Sequence, residues 1–424
     1  MTNERHVLKL TIEESPAGCR VLAEFNSKER EAEVGKLPAD FRDKLDKLQD
    51  EILQSAVARS AEAPLRLQHE NIPAAAAADD AGPRLRAAAG ALAAAAGALT
   101  AGADEISVKQ VGRQLFDFIF QGRVLELYKE CYTSTRKVLK QPLSIRLRVT
   151  HPGLSYVPWE TLFDQVNGFY VTVSQDTPFM RALEADDDDT PLGGGSPIRI
   201  LGMAARAKVL SGIALDSIDV DAEQVAIKNA LGALDDGKRV KLCWIPSAKG
   251  RDLTRRFIKG DDGKRWDIFH FIGHGGHRLG EEKGFIVVQE DGGPAGIELY
   301  ADDLRQIVCQ FERTPNLVIL NSCSGAKSEP GMLFSSVAEE LIRGGVPAVI
   351  AMQFEISDNM GIAFSNAFYT YLVDSRSIQA ALAHTRLELK ASRSAEWISP
   401  VLYMRGLNGE IFIDTGVGVV DAPQ

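Results

Sequence analysis

Residues 267–277, DIFHFIGHGGH, and residues 316–325, NLVILNSCSG, follow the same grammar. Each is a short apolar run, then a polar residue where the run ends, then glycine. Apolar runs of this length bounded by glycine read as buried strands. In parallel α/β sheets, ligands and reacting groups collect beyond the carboxyl ends of strands. His274 and Cys323 both fall there, 49 residues apart. If the two strands are neighbours, both side chains project from one sheet edge, at solvent-facing strand ends, and can meet.

Working outward, apolar runs recur at Ile198–Ala204, Val240–Ile245, Trp266–Ile272, Leu317–Leu320 and Ala348–Met352. Helical spacing separates most of them, at Ala222–Leu234, Ala301–Gln310, Met332–Arg343 and Asn359–Leu372. This alternation predicts an α/β fold with a mainly parallel sheet covered by helices on both faces. Gly284–Glu290 and Gly296–Tyr300 flank Asp291-Gly292-Gly293 and read as a hairpin inserted after the third strand.

The N-terminal half reads differently. His6–Glu13 and Cys19–Phe25 alternate polar and apolar residues around the turn Ser15–Gly18, predicting a hairpin. Phe41–Val57 has helical spacing, and together these form a separate small element over residues 1–72. Residues 73–104 are an alanine-rich linker or helix. A helix is predicted over Ile106–Lys140, a strand over Leu143–Val149 and another over Phe169–Val173, within a unit spanning 105–183. Residues 184–197, EADDDDTPLGGGSP, carry four consecutive aspartates and three consecutive glycines. Such a stretch cannot bury apolar area and is expected to be an exposed, flexible, protease-accessible loop. The core then runs over 198–424.

Composition bounds the function. The 424 residues are 45% hydrophobic and 25% charged, as in globular proteins, and the net charge is -10. No overall cationic field exists to draw in nucleic acid or anionic lipid. No apolar run approaches the roughly 20 residues that span a bilayer. The N-terminus lacks the apolar stretch of a signal peptide, so a cytoplasmic setting is expected. The five cysteines, Cys19, Cys131, Cys243, Cys309 and Cys323, are odd in number and include no CxxC pair, which argues against a disulfide framework. Four lie in apolar or helical surroundings and read as small buried hydrophobes.

Cys323 and His274 make chemical sense as a pair. A thiol of pKa about 8.5 is only slightly ionised at neutral pH, and a neighbouring histidine can take its proton. A helix starting near Gly331 points its dipole toward the sulfur. The backbone N–H groups of Gly275 and Cys323 could form an oxyanion hole for acyl transfer. Rival readings are weaker. His270, His274 and His277 cluster, but zinc spacing of that kind suits a helix and the segment reads as strand. His270 is then a core residue hydrogen-bonded internally, and His277 a solvent-exposed loop residue. Gly193–Gly195 precedes a strand, whereas a phosphate loop follows one. Neither a metal nor a cofactor is expected.

The segments FHFIGHGG (269–276), LVILNSCSGA (317–326) and GGVPAVIAMQFEISD (344–358), with VPWE (157–160) and PVLYM (400–404), resemble the CHAT family. These are caspase-like cysteine peptidases related to separases and caspases. The resemblance covers roughly Val108–Ile413. It implies a caspase-like α/β core with an N-terminal α+β extension, and a cysteine endopeptidase acting through a thioester acyl-enzyme. Cys323 would be the nucleophile, His274 the base and Gly275 the glycine after the histidine. It further implies a bacterial source, a role in stress response, defence or cell death, a protein or peptide substrate and a regulatory protein partner. No nucleic-acid partner and no membrane insertion are expected. The loop after the following strand, Gln353–Asp358, would wall the pocket for the residue before the scissile bond. Its carboxylates Glu355 and Asp358 favour a basic residue there, Asp358 being the better match to separases, which prefer arginine. Asp358 also reads as a helix N-cap. A catalytically silent scaffold on the same fold is the alternative.

Overall fold

The computed structural model describes residues 6–60, 103–183, 192, 197–277, 283–290, 293–310, 313–321 and 335–411. The strands, in chain order, are β1 (His6–Ser15), β2 (Gly18–Phe25), β3 (Lys28–Gly35), β4 (Leu143–Val149), β5 (Phe163–Asp164), β6 (Phe169–Tyr170), β7 (Phe179–Ala182), β8 (Ile198–Ala204) and β9 (Val209–Leu210). They continue with β10 (Ile213–Ala214), β11 (Val240–Trp244), β12 (Ile268–Ile272), β13 (Gly275–His277), β14 (Gly284–Gln289), β15 (Ala295–Tyr300), β16 (Leu317–Asn321), β17 (Ala348–Met352) and β18 (Pro400–Met404). The α-helices are α1 (Phe41–Ser60), α2 (Ala103–Ile119), α3 (Gly122–Tyr132), α4 (Val220–Leu231), α5 (Gly250–Lys259), α6 (Ala301–Val308), α7 (Ser335–Arg343), α8 (Asp358–Ser375) and α9 (Ile378–Ala391).

Eleven strands form one sheet, in the order β11-β8-β12-β16-β17-β18-β7-β4-β1-β2-β3. The first five run parallel to one another, and β18 pairs antiparallel with β17. Nearly every residue of β8, β12, β16 and β17 is buried. That is why these strands read as continuous apolar runs, since a sheet covered on both faces has no wet side to alternate with. The chain runs one way from β8 to β11 and the other way from β12 through β16 to β17. With right-handed crossovers, α4 lies on one face and α5, α6 and α7 on the other. Accordingly α4 packs with α8, and α8 with α9, while α6 packs with both α5 and α7. The winding reverses between β8 and β12, so a crevice opens at their carboxyl ends.

The inserted hairpin is present as β14 and β15. It belongs to a second, five-stranded sheet in the order β10-β9-β15-β14-β13. Because β13 follows β12 after two residues, this small sheet stands directly over the carboxyl ends of the large one.

The N-terminal half departs from expectation in three ways, the first being that the strand expected over Phe169–Val173 is only Phe169–Tyr170, with Val171–Val173 turning into a 3-10 helix. The hairpin gains a third strand, and β1 pairs in parallel with β4 from His6↔Leu143 to Ile12↔Val149. It is therefore an extension of the main sheet and not a separate small element. Leu8, Leu10 and Ile12 are buried in the same core as the rest of the chain. The helix expected over Ile106–Lys140 is broken at Gln121–Gly122, where Gly122 has φ +48°, and it ends in a π-helical turn over Thr133–Leu139. The left-handed backbone at Gly122 is open to glycine without strain and interrupts the helical hydrogen-bond ladder. Two helices, α5 and α9, arise where no helix was expected. The acidic stretch 184–197, apart from Leu192 and Pro197, and the alanine-rich stretch up to residue 102 lie outside the described residues.

Candidate active site

The carboxyl ends of β12 and β16 are held level. Ile272 is in register with Asn321, and the Gly273 N–H donates to the Asn321 carbonyl at 3.2 Å. Gly273 has no room for a side chain, because a Cβ there would lie 2.7 Å from Phe271 Cζ and 3.0 Å from Ala205 Cβ. His274 follows at the sheet edge and is only 2% exposed, so the expected solvent-facing position is not met. The small sheet covers it: the Val287 N–H donates to the His274 carbonyl at 2.8 Å.

The imidazole is oriented from the other side of the crevice. His274 Nε2 lies 3.0 Å from the Asp216 backbone carbonyl, in the stretch leading into α4. A carbonyl only accepts, so Nε2 carries the hydrogen and, in the neutral ring, Nδ1 keeps the lone pair. Any proton taken by this residue is therefore taken at Nδ1. Gly275 sits opposite Ile286 in β14. The Val287–His274 bond one step away makes this a non-hydrogen-bonded pair, so the Gly275 N–H points away from β14 and out of the ladder.

Beneath these strand ends lies a buried polar cluster that sequence reasoning missed. The Glu223 carboxylate on α4 accepts from Asn321 Nδ2 and from Ser365 Oγ, each at 2.5 Å. Asn321 Nδ2 also reaches the Gly361 carbonyl at 3.3 Å. His270 bonds Tyr369 through Nδ1 at 3.0 Å, with Nε2 at 3.5 Å from Glu223. His270 is thus the internally bonded core residue expected. Burial, reinforced by the Glu223 charge, pushes the Tyr369 phenol upward, so it stays neutral. Glu223 carries no sequence signal, since an acidic residue in the first turn of a helix ordinarily faces water.

Cys323 lies outside the described residues, two positions beyond Asn321. The other four cysteines are described, and burial raises all of their thiols. Cys131 is pushed up to about 12 and Cys309 to about 11, which leaves little thiolate at neutral pH. His277 is a second correction. It is 7% exposed within β13, because the small sheet folds its strand inward, and it is not a solvent-exposed loop residue. Among the described residues no cluster of His, Cys, Asp or Glu has the arrangement of a metal site, and no helix is long and apolar enough to cross a membrane.

The candidate pocket residues lie in the loop after β17. Asp358 Oδ2 accepts the Asp219 N–H at 3.3 Å. Asp358 and His274 are thereby tied to the same short stretch, residues 216–219, one at each end. Glu355 is half-buried in the same loop. Asp358 is not the N-cap of α8. Ser357 is, its hydroxyl accepting the Met360 N–H at 3.3 Å. Ser357→Ala is expected to cost about 1 kcal/mol of stability, read as a lower denaturant midpoint at unchanged slope.

Solved structures of similar fold include the separase–securin complex of Saccharomyces cerevisiae, 12% identical with a TM-score of 0.46 over 95% of this chain and 30% of that one. The pro- and mature domains of RgpB from Porphyromonas gingivalis are 13% identical, with a TM-score of 0.41 over 67% of this chain and 69% of that one. Caspase-1 from Spodoptera frugiperda is 13% identical, with a TM-score of 0.33 over 53% of this chain and 97% of that one. The chain thus spans less than a third of the separase chain it resembles. A search of curated proteins found no match. The CHAT domain profile matches residues 109–403, well over half of the chain and containing the carboxyl ends of β12, β16 and β17. On that match, and on a mainly parallel sheet clad in helices on both faces, the chain belongs to the CHAT domain family.

Proposed function

We propose that the protein is a cysteine endopeptidase, with Cys323 as nucleophile and His274 as its base. The observation that carries this reading is the level pairing of β12 and β16, with Gly273 bonded to Asn321. His274 lies two residues beyond Ile272, and Cys323 two residues beyond Asn321, the register partner of Ile272. Adjacent strands are about 4.8 Å apart, a spacing at which a cysteine leaving the end of one strand and a histidine leaving the end of its neighbour can make a thiol–imidazole contact. The Asp216 carbonyl supports the assignment by leaving Nδ1 as the basic atom.

In the reaction, Nδ1 takes the thiol proton as sulfur attacks the scissile carbonyl. The Gly275 N–H, which points out of its ladder, and the Cys323 N–H stabilise the oxyanion. The imidazolium then returns its proton to the leaving amine, and a thioester remains on Cys323. Water, deprotonated by the same histidine, hydrolyses it. Glu355 and Asp358 would face a basic side chain before the scissile bond. A protein substrate and a place in bacterial stress response, defence or cell death accord with this chemistry.

A thiol-directed peptide probe tests the reading. It is expected to label Cys323 in the native chain and to lose that label in His274→Ala. Labelling spread over Cys243 and Cys309, with Cys323 unmodified, would instead favour a silent scaffold. No step calls on a metal-bound water. Peptide cleavage is therefore expected to persist in excess chelator and to vanish on alkylation. Stoichiometric zinc that leaves together with activity would overturn the thiolate mechanism.

A further inference from the structure

The segment Val157–Glu160 stands far from the candidate dyad in sequence, and the proposed chemistry does not use it. In the structure Glu160 is fully buried and forms a forked ion pair with Arg181 on β7. Arg181 Nε donates to Oε1 at 2.9 Å and Nη2 donates to Oε2. Arg181 further donates to the Ser155 carbonyl at 3.0 Å and the Val157 carbonyl at 3.1 Å. It sits where the two halves of the sheet join, since β7 meets β18 through the register pair Tyr403↔Arg181.

A further side chain enters this cluster from the far half. Gln353, the first residue after β17, donates from Nε2 to Glu160 Oε2 at 2.9 Å and accepts at Oε1 from Arg181 Nη2 at 3.2 Å. The same Nε2 donates to the Ile398 carbonyl at 2.8 Å. Beyond it, the Phe354 N–H bonds Ser399 Oγ at 3.1 Å, and the Ser357 N–H bonds the buried Glu396 carboxylate at 2.6 Å. The loop is thus fastened at its root by the Glu160–Arg181 pair and at its end by Glu396, with Glu355 between the two.

We propose that Glu160, Arg181 and Gln353 are positioning residues that set the loop 353–358, so that the N-terminal half of the chain governs the shape of the substrate pocket. The pocket clause rests on the reading of this loop given above. A buried forked pair needs all its lone pairs and protons satisfied. Gln353 meets one acceptor and one donor of the pair at once, which leaves a single place for its amide. The backbone that carries that amide is the start of the loop.

The test uses the full chain with Gln353→Leu, which leaves Arg181 its Glu160 and carbonyl partners. Gln353→Asn, whose shorter amide does not span to Glu160, is the milder second variant. Hydrogen exchange at residue resolution is expected to speed up about tenfold or more at the Phe354 and Ser357 amides, while Val349–Ala351 in β17 stay within about twofold. Unchanged loop amides, or equal acceleration across loop and strand, would overturn the proposal. The KM for an arginine-containing peptide is expected to rise about tenfold, while alkylation of Cys323 by a small reagent keeps its rate. An unchanged KM beside a loosened loop would overturn the pocket clause. A native chain that cleaves no peptide sinks the peptidase reading alone, because the exchange arm does not depend on turnover.

Discussion

Cys323→Ala is expected to lower peptide turnover by about a thousandfold or more, the loss seen when a nucleophile or its base is deleted. His274→Ala is expected to lose as much. The two variants should not be equally stable. His274 is buried, and its Nε2–H satisfies the Asp216 carbonyl. Removing the ring strands that carbonyl and empties space beneath the small sheet, at a cost of about 1–3 kcal/mol. The measurement is therefore kcat/KM on chains shown by near-ultraviolet circular dichroism to be folded at the assay temperature. Full activity in folded Cys323→Ala would refute the assignment, and so would full activity in folded His274→Ala. Cys131 and Cys309, whose thiols stay protonated through neutral pH, are expected to be replaceable by serine or alanine without loss of chemistry.

Asp358→Lys is expected to abolish cleavage after arginine and lysine while Cys323 still reacts with a small alkylating agent. A carboxylate beside a partly dry pocket attracts a cationic side chain and pairs with arginine in two places; an ammonium in its place repels it. Since Ser357 caps α8, the competing explanation for Asp358 is weaker than its position before a helix suggests. A first-turn acid contributes about 0.3–1 kcal/mol through the helix dipole, so a purely local role predicts a small stability loss and an unchanged cleavage preference. Native cleavage after aspartate or after aliphatic residues would refute the basic preference outright, whatever the variant does.

Where a periodicity or a chain break carries the information, the sequence sufficed. Ile198–Ala204 (save for Arg199), Leu317–Leu320 and Ala348–Met352 are apolar without alternation, and only a sheet covered on both faces accommodates that. The polar-then-glycine endings of residues 267–277 and 316–325 marked the sheet edge where β12 and β16 stop together. The hairpin of β14 and β15 was legible from the Asp-Gly-Gly sequence between its strands. None of these needs a distant partner to be recognised.

The rest depended on partners that lie far off in the chain. The N-terminal hairpin reads as independent until β4, more than a hundred residues later, supplies the strand that β1 pairs with. His277 reads as a loop residue because nothing local shows the small sheet folding over it. The tautomer of His274 is set by a carbonyl 58 residues away, and a backbone carbonyl has no sequence signature at all. Glu160, Arg181 and Gln353 are polar residues that composition would assign to the surface. Their burial costs little only because each satisfies the others, and satisfaction of that kind exists in three dimensions alone.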